Sequence, residues 1–318
     1  MNENKIDKEI LSWLFEGDVS IQYQTYRDIL KIEKPSVQKR IQLEGWGAKF
    51  LSFQHDDGHW GRAFYQPKWI STHYTLLDLK NLGISPQVST IHKSLKEIFI
   101  NEIVPDGGIN PSPTIKESDV CLNGMVLNYA SYFQVKENML HSIIDFILSQ
   151  QMPDGGFNCC LNRSGAVHSS LHSTISVLEG IHEYKQNKYS YRNKELQGAE
   201  KTSREFILMH KLFRSDRTGN IISPKFLKFS YPCRWYYDIL RAMEYFYRSD
   251  TAYNVRMEEA ISVILKKRKK SGVWSLEARH PGKTHFEMEK VGQASRWNTL
   301  RCLRVLEKYY QPYIKNKK

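Results

Sequence analysis

Gln151-Met152-Pro153-Asp154-Gly155-Gly156-Phe157 stands between two segments of different character. Before it, Leu140, Ile143, Ile144, Ile147 and Leu148 recur at i, i+3, i+4, i+7 and i+8, while His141, Ser142, Asp145 and Ser149 fall on the other side. That pattern is a one-sided amphipathic helix, which buries a single stripe. Phe146 lies off the stripe and is expected to be buried against a neighbour. After the turn, His172 to Tyr184 is apolar around most of its circumference. A helix apolar all round is a buried one, so the turn joins an outer helix to an inner one.

Four other glycine turns repeat the arrangement: Asp57-Gly58-His59-Trp60, Asp106-Gly107-Gly108-Ile109, Arg217-Thr218-Gly219-Asn220 and Ser271-Gly272-Val273-Trp274. A spacing of about 50 residues, with two helices and a turn in each unit, is a repeat signature. A helix pair cannot bury its apolar faces alone, so the units must stack or close into a ring. Inner helices are expected near 20–32, 70–83, 118–133, 168–184, 231–248 and 291–310. Outer partners are expected near 5–16, 36–54, 88–102, 137–151, 198–212 and 252–269. Gly124, Ala130, Ser173, Ser176 and Ala242 are small enough to let inner backbones approach closely. Six pairs give the fold class: all-α, an α6/α6 toroid, in one domain over 1–318.

The connections at 54–70, 103–117, 152–167, 213–230 and 271–290 exceed the usual helix–helix loop of about 2–8 residues. Each leads from an outer helix to the next inner one, so they gather at one end of the barrel, where the inner helices begin. Helix N-termini ringing a mouth each carry about half a positive charge and favour an anionic group.

Composition narrows the classes. The 318 residues are 41% hydrophobic and 25% charged, a globular balance with ample length for a core. No apolar run reaches the ~20 residues that span a bilayer, and the start lacks an apolar signal segment. Five cysteines without framework spacing point to a reducing cytoplasm. The net charge is +12, and its densest run, Lys266-Lys267-Arg268-Lys269-Lys270, falls where an outer helix should end, so it complements the helix dipole. Peripheral contact with anionic lipid is a second reading. No nucleic-acid motif accompanies the run, so no nucleic-acid partner is expected.

The stretch Phe53-Gln54-His55-Asp56-Asp57-Gly58-His59-Trp60, with Gln151 to Phe157, resembles the repeat shared by squalene and terpene cyclases and protein prenyltransferase β subunits. The chain is most similar to small single-domain bacterial squalene-cyclase-like proteins. The resemblance implies a toroid with a central cavity and chemistry on an isoprenoid. The Asp-x-Asp-Asp acid of alkene-protonating cyclases and the Asp-Asp-x-x-Asp of ionising synthases are both absent. Prenyltransferase β subunits hold zinc with Asp-x-Cys opening one inner helix and a His opening the next. By that resemblance Asp119, Cys121 and His172 are the metal ligands and catalytic residues, His168 is a substitute ligand, and Lys116 contacts a diphosphate. Pro113 stands where that family has a basic residue, and Leu122 where it has an aromatic one. No segment resembles the α subunit such enzymes need, so a partner subunit is left open.

Other positions expected in the first turns are aromatic or polar: Trp69, His73, Tyr74, Asn123, Arg234, Trp235, Tyr237, Asp238, Arg296, Trp297 and Asn298. Aromatic walls suit an isoprenoid chain or a carbocation, and an arginine suits its anionic head. His73, Tyr74, Asn123, Arg234, Trp235, Asp238, Arg296 and Trp297, with Lys116, are therefore the candidate substrate-binding residues. Plainer roles stand beside these. Ser118 or Asp119 caps a helix, Cys121 is a small buried hydrophobe, His172 is a core histidine, and the aromatics fill space. Cys159-Cys160 lacks the spacing of a redox or zinc motif and reads as structural.

The leading expectation is an enzyme of the transferase or cyclase type, zinc-dependent, acting on an isoprenoid or another apolar small molecule with an anionic head. A second reading uses Arg27, Asp28, Asp78 and Glu179, which fall on inner helices. Buried carboxylates there would serve a carbohydrate-active or lyase-type toroid. A third is a non-catalytic binding scaffold.

Overall fold

The computed structural model describes residues 7–112, 114, 115, 117–159 and 164–310; Pro113, Lys116 and Cys160 lie outside the described residues. The chain is mostly helical. The helices are α1 (Lys8–Phe15), α2 (Val19–Gln24, continued by a π-helical turn at Thr25–Ile29), α3 (Pro35–Arg40), α4 (Gly45–Leu51), α5 (Thr72–Leu82), α6 (Ser89–Asn101) and α7 (Val120–Tyr132). They continue with α8 (His141–Ser149), α9 (Leu171–Gln186), α10 (Asn193–Met209), α11 (Ile239–Arg248), α12 (Glu258–Lys266) and α13 (Arg296–Tyr309). Among the described residues the only sheet pairs two short antiparallel strands, β1 (Trp274–Ser275) and β2 (Ala294–Ser295), with Trp274 opposite Ser295.

The alternation of helix types holds. In α8 the buried residues are Ile143, Ile144, Phe146 and Ile147, one face with the off-stripe phenylalanine included. In α7 every residue from Leu122 to Ser131 is buried. The inner helices pack in chain order: α5 on α7, α7 on α9, α9 on α11, α11 on α13, and α13 on α2. Gln24 ties α2 to the end of α5 by donating to the carbonyls of Asn81 (2.9 Å) and Leu82 (3.0 Å). The most extensive contact is between α7 and α9. Glycines permit it: a Cβ on Gly124 would come within 2.7 Å of the Val177 nitrogen, and one on Gly180 within 2.4 Å of the Gly124 carbonyl.

The glycine turns share one clasp. The amide just after the turn docks on a polar side chain in the first turn of the next inner helix. Trp60 N–H donates to Thr72 Oγ1 (3.0 Å), Ile109 N–H to Asn123 Oδ1 (2.8 Å), Phe157 N–H to Thr174 Oγ1 (3.0 Å) and Trp274 N–H to Thr299 Oγ1 (3.1 Å). The turn itself needs a left-handed residue, and Gly155 supplies it at φ +90°. The aspartates of two turns reach forward in the same way: Asp106 accepts the Ser118 N–H (2.8 Å) and Asp154 the Ser169 N–H (2.8 Å). The turn at Gly219 differs: the residue two on from its glycine, Ile221, forms an antiparallel bridge with Arg214 instead.

Two boundaries differ from expectation. The inner helix expected from 231 begins at Ile239. Pro232 has no N–H, Arg234 sits at φ +57°, and Asp238 caps the helix by accepting the Arg241 N–H (2.8 Å). The outer helix expected over 36–54 breaks into α3 and α4, with Gly45 left-handed at φ +66° at the join.

Candidate functional site

The expected zinc ligands do not form one donor set. Cys121 opens α7, and its N–H donates to Cys159 Sγ at 3.3 Å. His172 opens α9, but its Nδ1 accepts the Tyr237 N–H at 2.8 Å, and its ring lies edge-on among Phe226, Trp235, Tyr236 and Tyr237. Burial, then the charge of Arg241, pushes His172 down to about 4; neither Asp119 nor Cys121 is among the groups acting on it. Among the described residues no three His, Cys, Asp or Glu side chains are grouped to hold a metal ion. His168 lies against the Arg217 guanidinium, and Lys116 is outside the described residues.

At the end where the inner helices begin, the aromatic side chains pack on one another. Trp235 stacks on Tyr236 at 4.0 Å, and Tyr236 on His280 at 3.8 Å. Trp69 Nε1 donates to the Pro281 carbonyl (2.6 Å), and Thr75 pairs with His285 Nε2 (3.0 Å). The segment 276–289 thus lies over these helix ends, and the cavity beneath it holds only ≈ 50 Å³. His73 is fully buried beside the Tyr129 hydroxyl (3.3 Å), and burial pushes it down to about 3. Tyr74 shares a hydrogen bond with Tyr65 (3.0 Å), and Asn123 serves the turn clasp. Asp238 caps α11. Arg234 pairs with buried Asp78, its guanidinium 5.6 Å from the Trp69 ring. Arg296 donates to the Trp13 carbonyl (2.8 Å) and lies 4.6 Å over the Trp13 ring, fastening α1. Trp297 stacks on Tyr231 at 4.6 Å.

A shallow space of ≈ 470 Å³ lies beside this segment, between Arg62, Pro67 and His285, and a charged one lies among the later turns of the inner helices. A cavity of ≈ 80 Å³ is walled by Glu179, His182 and Glu183 of α9, Arg241 and Glu244 of α11, and Arg301 and Arg304 of α13, with other inner-helix residues. It shares Gln24, Lys80, Asn81, His182, Glu183 and Arg248 with a mouth of ≈ 370 Å³. The π-helical turn brings Arg27 and Asp28 to this mouth; such turns insert a residue into a helix and recur at functional sites. Tyr132 and Tyr247 also line it.

The walls are charged, and the charges are linked. Arg304 contacts Asp28 (2.5 Å) and Glu244 (3.0 Å). Arg301 reaches Glu244 (2.5 Å) and stands 4.0 Å from Asp238. Arg241 holds Glu179 (2.7 Å), and Lys80 holds Glu183 (3.1 Å). Burial works against ionising Glu244, but Arg301 and Arg304 overcome it and keep its pKa below the usual carboxylate value. Lys80 does the same for Glu183, and Arg304 with Arg27 for Asp28. Arg248 is exposed and joins no ion pair among the described residues. His182 faces both spaces. Burial, helped by Arg248 and Lys80 against the pull of Glu183, pushes it down to about 4, so its imidazole is neutral near pH 7.

Arg27, Asp28 and Glu179 were legible as inner-helix charges, and the expected Arg234 and Trp297 also line the cavity, while His182, Glu183, Glu244, Arg248, Arg301 and Arg304 were missed. Their signal is spacing. Arg301 and Arg304, Arg241 and Glu244, and Glu179 and His182 each sit three apart on helices that are otherwise apolar all round. Comparison with known proteins finds no matching family model and no matching curated protein.

Proposed function

We propose that α2, α5, α7, α9, α11 and α13 close into the inner ring of an α6/α6 toroid, and that its cavity serves a lyase-type enzyme acting on a small hydrophilic substrate bearing a carboxylate. The chain-order packing, the return of α13 to α2 and the shared walling of one cavity support the ring. The single observation that carries the function is a neutral His182 in a space walled by Lys80, Arg241, Arg248, Arg304 and three glutamates.

An isoprenoid tail would meet charged side chains on half of the cavity wall and would strip them of water without replacing their hydrogen bonds. A hydroxylated, anionic molecule replaces those bonds. Arg248 and Lys80 take up the substrate carboxylate, which makes the adjacent C–H more acidic. His182, the imidazole that faces this space, removes that proton as general base. The leaving group departs toward the mouth and takes its proton from water there. Hydrolysis by a carboxylate pair is less well supported, because Asp28, Glu183 and Glu244 are held ionised, and Asp78, which burial pushes up to about 6, is closed off in its pair with Arg234.

The test is turnover of uronate-containing oligosaccharides, followed by the ultraviolet absorbance of an unsaturated product. His182→Gln should abolish turnover and leave binding, and Arg248→Met should weaken binding. Saturable binding of an isoprenyl diphosphate, unaffected by either substitution, together with no turnover of any uronate, would overturn the reading.

A further inference from the structure

Cys159 stands apart from the charged cavity, where the starts of two inner helices meet. Its Sγ accepts the Cys121 N–H from the first turn of α7 (3.3 Å) and the Ser173 hydroxyl from the first turn of α9 (3.3 Å). Its own N–H donates to Ser173 Oγ (3.1 Å). Both cysteines are free and half-buried. Two donors converge on the Cys159 sulfur, which singles it out as the attacking one of the pair. The two cysteines lie on separate segments and meet through the Cys121 N–H, which brings their side chains together.

We propose that Cys121 and Cys159 form a reversible thiol–disulfide site that reacts with low-molecular-weight disulfides. The Cys159 thiolate attacks one sulfur of an external RS–SR. That S–S bond breaks, a Cys159–S–SR bond forms, and RS⁻ leaves and takes up a proton. The Cys121 thiol then gives its proton to solvent and attacks the Cys159 sulfur, expelling the second RS⁻. Two protein thiols are oxidised and one external disulfide is reduced to two thiols. The product ties the connection between α8 and α9 to the start of α7. Nothing in this site depends on the cavity reading.

The experiment uses the full chain carrying Cys160→Ser, which removes the adjacent thiol, with oxidised glutathione as probe and peptide mapping by mass spectrometry. The expected product is a peptide linking Cys121 to Cys159. Cys121→Ser should stop at one glutathione on Cys159. Cys159→Ser should leave Cys121 reduced, or slow its reaction at least about tenfold. Circular dichroism of each variant establishes that it is folded. If both thiols stay reduced in the folded chain, or the mapped link joins other cysteines, the site does not exist.

Discussion

Arg304 and Glu244 meet at 3.0 Å inside the protein, with only 2% and 14% of their side chains exposed. Glu244 also receives Arg301 at 2.5 Å, so one carboxylate bridges two buried guanidinium groups. Removing it leaves Arg304 only Asp28 and Arg301 only the more distant Asp238 as carboxylate partners. Breaking a buried pair from one side costs about 3–5 kcal/mol. Glu244→Leu should therefore lower the unfolding free energy by that order, measured by urea denaturation. Glu244→Gln, which still accepts hydrogen bonds, should cost less. An unchanged midpoint in Glu244→Leu would show that the network contributes nothing to stability.

Acid should weaken the fold through its buried histidines. His73 is pushed down to about 3, and His172 and His182 to about 4, from an ordinary value of 6.5, each chiefly by burial. The unfolded chain takes up these protons near 6.5 and the folded chain does not. Stability is therefore lost as pH falls from about 6.5 toward 4, by up to about 1.4 kcal/mol per pH unit for a fully buried histidine. Asp28, whose folded value is depressed, adds a further loss below about 4. Denaturation midpoints across pH 7 to 4.5 check this, and His73→Phe should flatten the slope. A constant midpoint over that range contradicts it.

Gly180 has no room for a methyl group. An added Cβ would lie 2.4 Å from the Gly124 carbonyl, a backbone atom that cannot swing aside. Gly180→Ala should destabilise by about 1–3 kcal/mol through forced separation of α7 and α9. At an open helical site the same change would stabilise. A raised melting temperature in Gly180→Ala would mean the two helices are less closely packed than described.

The turn clasps should be worth similar amounts wherever they occur. Thr174→Val and Thr299→Val each remove the acceptor for one buried amide while keeping the shape. Each should cost about 1–3 kcal/mol, the desolvation penalty of an unsatisfied donor. Hydrogen exchange at Phe157 and Trp274 gives a direct readout: the amide should lose protection in its own variant and keep it in the other.

The helical alternation was legible because glycine turns and stripe-forming apolar residues are local signals. Leu140 to Leu148 declared an outer helix, and the structure buries the expected face with Phe146 added. The site was less legible. Helix N-termini attract anions, which drew attention to the end holding Asp119, Cys121 and His172. There Trp235, Tyr236 and His280 stack and the 276–289 segment covers them, an outcome fixed by contacts between residues far apart in the chain. Lys80, His182 and Arg248 look in sequence like solvated helix ends. Only the packing of α5, α9 and α11 turns them toward one space. The late start of α11 followed from Pro232, which was visible, and from the left-handed Arg234, which was not.

The clasp has a consequence for how this architecture tolerates change. Its donor and acceptor are 12, 14, 17 and 25 positions apart in the four turns, yet the hydrogen bond differs by no more than 0.3 Å. The anchorage is indifferent to what is strung between its two ends. Within those spans a peptide tag is tolerated where the chain is exposed, as at Gly165 and Val167, and not in the 276–289 segment that packs on Trp69 and Tyr236.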